Sequence, residues 1–233
     1  MTTLLKAIKW DACLIYKYGI VAVAFAIALI YSLIFLFIDT EGYEKIIVAL
    51  VFSDPVMYGF LFTAVMVLFE KDANTHQVLA VTPLKTSEYL LSKAIVFCVL
   101  ALVMGFVIVL AAWPVYFNFL WFLLAVVLSA ALFVFVGVVG VSYVKSFNEF
   151  ILIIPLVLAP VCLPFLSFFY LVESWLFYLI PTQACLLLFE ASVSKVENWQ
   201  LIYAMIYLGT LNFLVYRWAY NSYNKRIIKT DRL

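Results

Sequence analysis

Residues 120–144 read LWFLLAVVLSAALFVFVGVVGVSYV and contain no Asp, Glu, Lys or Arg. An α-helix needs about 20 predominantly apolar residues to cross the hydrocarbon core of a bilayer, and this stretch exceeds that length. It therefore predicts a membrane-spanning helix. We take it as the pattern that decides the fold, because the chain repeats it on both sides.

The repeated pattern predicts an all-α, polytopic membrane protein. Apolar stretches near the bilayer-spanning length occupy residues 19–38, 46–69, 94–113, 120–144, 150–171 and 199–220. Six crossings follow, and an even number places both termini on one side of the membrane. We interpret residues 1–233 as a single transmembrane domain.

The composition agrees with lipid as the main solvent. Of the 233 residues, 68% are hydrophobic and 12% are charged, whereas soluble domains carry about 25% charged residues. These values exclude a secreted disulfide scaffold, a disordered chain and a conventional cytosolic enzyme. The net charge of +1 argues against a nucleic-acid partner, because no basic excess is available to neutralise phosphates.

The placement of the basic residues predicts the orientation. Twelve of the 14 Lys and Arg fall before the first span, between spans two and three, between spans four and five, or from span six onwards. Only Lys45 and Lys195 fall on the other side. By the positive-inside rule, both termini and loop 70–93 are predicted to lie on the cytoplasmic side of the cell membrane.

Residues 1–17 predict an amphipathic helix at the cytoplasmic membrane surface. Two threonines near its start can cap it. Apolar side chains recur at helical spacing on one face, at Leu4, Ile8, Ala12 and Ile15. A basic flank that only fixes the orientation is the alternative.

The second span is predicted to break at Asp54, which directly precedes Pro55. A carboxylate in the hydrocarbon core is costly, and proline is favoured in the first turn of a helix. The pair indicates a helix that begins near Pro55 and is capped by Asp54, while a role for Asp54 as a proton or cargo ligand is the alternative. Both residues are candidates for the transport pathway.

The fifth span carries Pro155, Pro160 and Pro164, each of which removes a backbone donor and bends a helix. Bent membrane helices usually face protein or a cavity, where the freed carbonyl groups find partners. These prolines, with Ala159 between them, therefore complete the candidate pathway. A kinked helix that only packs against its neighbours is the alternative.

Residues 172–198 form an apolar connection between the fifth and sixth spans. WLFYLI at 175–180 and LLLF at 186–189 flank Pro181. The segment is too interrupted for another pair of crossings. It predicts two short helices that dip into the outer leaflet and return, with the turn at Pro181.

The chain shows no pattern typical of a metal or catalytic site. The one histidine, His76, falls in a loop, and no HExxH motif occurs. We therefore expect no metal, no cofactor, no catalytic residue and no disulfide. The cysteines are far apart and without CxxC spacing, at Cys13, Cys98, Cys162 and Cys185.

Loop 70–93 is the most informative connection. Asn74 and Gln77 have the spacing of a capping box. Val78 and Leu79 supply an apolar strip, and Pro83 disfavours further helix. A short amphipathic helix at the cytoplasmic face suits docking into a groove of another protein, and a surface helix that only connects two spans is the alternative.

This loop resembles the cytoplasmic loop of ABC-2-type permeases. The resemblance rests on EKDANTHQVLAVTPLK at 70–85 and EYLLSK at 88–93. As in the family, the loop opens with an acidic residue, reaches Thr-Pro-Leu after a Leu-rich turn, and closes with Tyr-Leu and Lys. Asn74 stands where the family has glycine. The span count, the amphipathic start and Pro181 agree with the family, and the fluoroquinolone or multidrug export branch is the most similar.

The resemblance implies a half-permease. Two such chains, identical or different, pair in the lipid bilayer and form the path for a hydrophobic or amphipathic cargo such as a drug or a lipid. Each chain engages a cytoplasmic ABC ATPase through loop 70–93 and the amphipathic start. The resemblance assigns this coupling to Glu70, Asn74, Thr75, Gln77, Val78, Leu79 and Pro83.

ATP-driven transport would require such a partner. None of the seven glycines is followed by Lys, so the sequence has no phosphate-binding GxxxxGK[ST] loop. The chain is therefore expected to be a permease without an enzymatic site of its own. A non-transporting structural subunit and a secondary transporter are the alternatives, although no half-to-half repeat favours the latter.

Overall fold

The computed structural model describes residues 3–37, 44–73, 83–112, 117–144, 146–172 and 174–228. In these ranges the chain is mostly helical and contains no β-strand. The prediction of an all-α protein is confirmed.

The chain forms ten α-helices within the described residues, together with two π-helices and one 3-10 helix. In chain order the elements are α1 (Thr3–Lys17), α2 (Ile20–Phe37), α3 (Glu44–Val56), a π-helix (Met57–Phe62), α4 (Thr63–Asp72), α5 (Thr86–Ala112), α6 (Phe119–Ser142), α7 (Phe147–Cys162), α8 (Pro164–Phe168), a 3-10 helix (Trp175–Leu179), α9 (Pro181–Val193), α10 (Asn198–Tyr223) and a π-helix (Asn224–Ile228).

Five helical segments are long and apolar enough to cross a membrane. A sixth segment is added when α1 and α2, which form a bent pair, are taken together as one span. This segment contains the first span predicted from the sequence. The two helices meet at an angle of 65°, and Gly19 at the corner has a φ of +73°, which L-residues with a side chain rarely adopt. The corner falls at Gly19, where the first span is predicted to begin.

The predicted helix break at Pro55 is wrong. Pro55 lies inside α3, where its ring removes the hydrogen-bond donor to the carbonyl four residues earlier. The chain does not stop there but widens into the π-helix Met57–Phe62 and continues as α4. Asp54 is therefore not a helix cap, and its side chain lies inside the protein.

Helix α6 lies at the centre of the fold and packs against α5, α9, α10 and the first π-helix. The π-helix approaches it backbone to backbone, because Gly59 and Gly137 face each other. A Cβ atom on Gly137 would lie 2.7 Å from the Phe60 carbonyl oxygen, and one on Gly59 would lie 2.7 Å from Phe133 Cβ. Small residues at a membrane-helix crossing permit this close contact.

An aromatic cluster joins the elements around α6. The Phe52 ring lies 6.1 Å from Phe133, 5.8 Å from Phe165 and 5.9 Å from Phe189, between ring centroids. These rings belong to α3, α6, α8 and α9, so the cluster fixes the connection after the fifth span against the core. Such pairs add to the stability gained by area burial alone.

Helices α7 and α10 lie at the periphery. In the most apolar 18-residue stretch of Phe147–Phe168, only 17% is buried inside the protein. The corresponding share is 11% for Asn198–Arg226 and 67% for Phe119–Ser142. The broad apolar faces of these two helices are thus available to lipid or to another chain.

The connection at residues 172–198 contains one 3-10 helix and one α-helix. The 3-10 helix Trp175–Leu179 has no buried residue. Helix α9 begins at Pro181, the predicted turn, and nearly all of it is buried against α3, α6 and α10. Packing against protein therefore explains the apolar character of α9, whereas the apolar side chains of the 3-10 helix are exposed.

Candidate functional site

A cluster of buried polar side chains joins three helices at one end of the bundle. Its members are Asp11 on α1, Glu70 on α4, and Tyr89, Ser92 and Lys93 on α5. We call this group the junction cluster. None of the five residues is more than 4% exposed.

Lys93 is the centre of the junction cluster. Its ammonium donates hydrogen bonds to Glu70 Oε1 at 2.7 Å and to Asp11 Oδ1 at 3.3 Å. These contacts are the two ion pairs found within the described ranges. One cation therefore bridges α5 to both α1 and α4.

Hydroxyl groups satisfy the remaining carboxylate oxygens. Tyr89 Oη donates to Glu70 Oε2 at 2.5 Å, and Ser92 Oγ donates to Asp11 Oδ2 at 2.5 Å. The Tyr89 ring also stacks on Tyr223, with 4.6 Å between centroids. The end of α10 is thereby drawn into the same contact.

The energetics of the cluster depend on its completeness. Each buried ion costs several kcal/mol of desolvation, which is offset only when charge partners and hydrogen bonds are in place. Burial raises the pKa of the Asp11 carboxyl, while Lys93 and the Ser92 hydroxyl act in the opposite direction. The cluster therefore behaves as one unit whose members stabilise one another.

The junction cluster holds both arms of loop 70–93. Glu70 lies on the arm that enters the loop, and Tyr89, Ser92 and Lys93 lie on the arm that leaves it. Further contacts fix the same end of the bundle: Lys71 Nζ donates to the Val141 carbonyl oxygen at 2.8 Å, and Thr86 Oγ1 donates to Asn224 Oδ1 at 2.7 Å. The two ends of the loop are therefore in direct contact with α1, with α6 and with the second π-helix.

Of the five members, the sequence predicts only Glu70 as a functional residue. Lys93 enters there as a basic residue that sets orientation and as the closing lysine of the loop resemblance, and Asp11, Tyr89 and Ser92 are given no role. The structure also corrects the apolar face of α1, since Ala12 is exposed and Asp11 lies buried on that face. The available signal was a lysine at the start of an apolar span, because such residues are seldom buried without a partner.

Of the residues implied in ATPase coupling, the structure describes two. Glu70 is buried in the junction cluster, and Pro83 is exposed. The other five, together with the capping box and its apolar strip, lie outside the described residues: Asn74, Thr75, Gln77, Val78 and Leu79.

The candidate pathway residues fall into two environments. Asp54 is 1% exposed, and in the described part of the structure its Oδ2 atom has no hydrogen-bond partner. Pro55 and Pro164 are also buried. In contrast, Pro155, Ala159 and Pro160 are exposed on α7, so within one chain the six residues do not share one surface.

No group of three or more His, Cys, Asp or Glu side chains within the described residues could hold a metal ion. The four cysteines are free: Cys98 and Cys185 are buried, and Cys13 and Cys162 are exposed. The arrangement of the junction cluster, an ammonium between two carboxylates, suits mechanical connection of helices.

Comparison with known proteins gives a consistent result. The sequence matches the fluoroquinolones export permease protein family over residues 2–231. It is 32% identical over 161 residues to fluoroquinolones export permease proteins of two strains of Mycobacterium tuberculosis. Each alignment covers 66% of this chain and 67% of the relative.

Proposed function

The chain belongs to the fluoroquinolones export permease protein family, and from that premise we propose that it is the membrane subunit of an ATP-driven exporter. A separate cytoplasmic ABC ATPase supplies ATP hydrolysis, and loop 70–93 is its docking site. The permease forms the path for the cargo and carries no catalytic group.

The observation that carries this proposal is the position of the junction cluster. A docked ATPase can drive a permease only if the docking loop is rigidly joined to the spanning helices. Lys93 joins both arms of the loop to each other and to α1. A displacement of the loop is thereby transmitted to three helices, which supports a shift of the permease between two arrangements.

A second permease chain completes the pathway. The exposed sides of α7 and α10 are apolar, and α7 carries Pro155, Ala159 and Pro160 on its exposed side. Because broken backbone is tolerated where it faces protein or a cavity, these residues are suited to line the interface between two copies or two related chains.

The orientation follows from the two ends of the bundle. Lys45 and Lys195, the two basic residues assigned outside, line one cavity, and the junction cluster lies at the other end of the α3–α4 segment. This separation supports a protein of the cytoplasmic membrane with both termini and loop 70–93 inside.

The cargo proposed for this chain is hydrophobic or amphipathic. The two mycobacterial relatives are named as fluoroquinolones export permease proteins, and we extend a cargo of this kind to the present chain. The mostly apolar exposed surface of the spans agrees with a cargo that enters from lipid.

The coupling is tested by the double variant Val78→Asp, Leu79→Asp. Each side chain contributes about 1.5–3 kcal/mol when it is fully removed from water, so two buried carboxylates should abolish association with the ATPase. Co-purification of the ATPase and export from cells are measured together. The matched control is Ser146→Asp, Asn148→Asp, which introduces the same charges at two exposed positions of another connection on the side predicted to be cytoplasmic.

We expect the loop variant to reach the membrane at the level of the control and to lose both its ATPase and export. An ATPase that stays bound to the loop variant would refute loop 70–93 as the docking site. If the unaltered chain binds no ATPase at all, a structural subunit becomes the better account.

A further inference from the structure

Asp54 lies deep inside the second span, which runs over Lys45–Asp72. It follows Lys45 by nine positions. That spacing is a rise of about 14 Å along an α-helix, which approaches the centre of a hydrocarbon core about 30 Å thick. Its side chain is only 1% exposed. At this depth an ionisable side chain indicates a functional site.

No cation balances a charge on Asp54 in the described part of the chain. The two ion pairs found there both belong to Lys93. Helix α2, the first π-helix and α6 contain no charged residue. The other charged residues of the helices around Asp54 lie towards the helix ends: Glu44 and Lys45 on α3, Glu88 and Lys93 on α5, and Glu190 on α9. Lys45 donates instead to the Phe168 carbonyl oxygen at 2.7 Å.

The remaining ionisable side chains of these elements are of types that are uncharged at neutral pH. They are Tyr31 on α2, Tyr89 and Cys98 on α5, Tyr58 in the first π-helix and Cys185 on α9. Of these, Tyr58 forms a side-chain hydrogen bond with Asp54, and Tyr31 lies near Tyr58. The groups that face Asp54 are thus apolar or neutral.

The hydrogen bonds of Tyr58 indicate where a proton is needed. Tyr58 Oη donates to the Ala24 carbonyl oxygen on α2 at 3.5 Å. A hydroxyl group has one hydrogen to donate, so while that hydrogen serves Ala24 the Tyr58 oxygen can only accept from Asp54. Only a neutral carboxyl group has a hydrogen for this contact. The Oδ2 atom of Asp54 has no hydrogen-bond partner within the described residues, so an ionised carboxylate would be poorly satisfied here.

We propose that Asp54 is a proton-binding site of the second span. Its carboxyl group is protonated at neutral pH and donates a hydrogen bond to Tyr58 Oη, which donates in turn to the Ala24 carbonyl oxygen. The neutral form avoids the cost of an unpaired carboxylate in a low-dielectric interior. A proton also needs no cavity, which suits a side chain that is almost fully buried.

The helix around Asp54 provides a place for the proton to leave. Pro55 has no N–H group to donate within α3, and the first π-helix begins two residues later, at Met57. Such irregular turns are frequent at functional sites. When water reaches the carboxyl group here, the O–H bond breaks, water takes the proton and Asp54 keeps the electron pair as a carboxylate. The proposal does not depend on an ATPase.

Infrared spectroscopy of the full-length chain in lipid vesicles tests the proton directly. A neutral carboxyl group has a C=O stretching band that a carboxylate lacks. Labelling every aspartate with a heavy carbon isotope at the side-chain carboxyl shifts this band if it belongs to an aspartic acid. We expect such a band at neutral pH in the unaltered chain and its loss in Asp54→Asn.

Two further variants assign the band. Asp72→Asn is the matched control, because Asp72 is an exposed aspartate at the end of the same span, and the band should remain. Tyr58→Phe keeps the ring and removes the hydroxyl that accepts the hydrogen bond, so the band should move to higher frequency. That shift assigns the band to Asp54 even if Asp54→Asn fails to fold.

The linkage between proton binding and folding gives a second measurement. Between about pH 5 and 7 an aspartate in the unfolded chain is ionised, so unfolding releases the proton held by Asp54. Unfolding in detergent should therefore become more favourable as the pH rises. Relative to Asp54→Asn, the unfolding equilibrium constant of the unaltered chain should rise by about tenfold for each pH unit, the value for release of one proton.

The proposal is overturned if no aspartic acid band is present, if the band survives in Asp54→Asn, or if Tyr58→Phe leaves its frequency unchanged. It is also overturned if unfolding of the unaltered chain and of Asp54→Asn depends on pH in the same way. None of these results bears on the proposed export function, which the loop 70–93 variants test separately through ATPase co-purification.

Discussion

Lys93 Nζ lies 2.7 Å from Glu70 Oε1, although 23 positions separate the two residues and both are at most 2% exposed. This ion pair closes loop 70–93 at its base. The same ammonium reaches Asp11, 82 positions away. The two ends of the proposed docking loop and the first helix are thus joined through one cation.

Lys93→Met should destabilise the protein because it leaves two buried carboxylates without a cation. Removal of one partner from a buried ion pair costs about 3–5 kcal/mol. Unfolding of the purified chain in detergent measures the change, with Lys85→Met, an exposed lysine, as control. Adding Asp11→Asn and Glu70→Gln to Lys93→Met should restore much of the lost stability, because no unpaired carboxylate then remains buried. If Lys93→Met alone were as stable as the unaltered chain, the junction cluster would be contradicted.

Gly137→Ala should loosen the contact between α6 and the first π-helix. The added Cβ would lie 2.7 Å from the Phe60 carbonyl oxygen, a backbone atom that cannot move independently. We expect a loss of about 1–3 kcal/mol, typical of overpacking. Gly209→Ala is the control: nothing lies within 4 Å of its Cβ position on α10, so a gain of about 0.5–1 kcal/mol is expected. The reverse order of stabilities would refute the close crossing.

Ala159→Trp tests the exposed face of α7 as a pathway or interface wall. The side chain has room in a single chain, so the fold should be retained while the cargo path or the pairing of two permeases is obstructed. Ala26→Trp on α2 is the matched control, because Ala26 is also exposed. Export is compared at equal membrane abundance. Equal export by the two variants would remove α7 from the pathway.

Cys13 reports the orientation of α1. It is exposed, so an impermeant maleimide should label it in inside-out vesicles and not in intact cells. The other three cysteines are replaced by serine for this measurement. In a second variant that keeps Cys185 as its single cysteine, this fully buried thiol should stay unreactive from both sides until the protein unfolds. Labelling of Cys13 in intact cells would place the N-terminal helix outside.

Part of the site was accessible from the sequence. Glu70 entered through the resemblance of its loop to ABC-2-type permeases, and the structure places it at the base of that loop. The sequence shows that Lys93 is charged but does not predict its ion pair with Glu70. A lysine at the end of a loop has the same sequence pattern whether it is solvated or buried. Asp11 gave a still weaker signal, since a single acidic residue does not disturb an amphipathic pattern.

The start of the second span shows the same limit. Asp54 followed by Pro55 is a favourable helix start in water, yet the structure continues the helix through this point. The neighbouring helices α5, α6 and α9 pack around the α3 segment, and the chain adjusts its hydrogen bonding by forming a π-helix. Tertiary packing therefore overrides the local preference of the pair.

The sequence by itself determined the class of protein and the positions of the apolar helices, because both depend on contiguous runs of apolar residues that lipid or protein must bury. Only the tertiary structure decided that Lys93 joins Glu70 to Asp11, that Gly59 faces Gly137, and that Glu190 lies in a cavity with Lys45. Those relations join residues far apart in the chain, and their energies arise from desolvation and close contact, which exist only once the helices have packed.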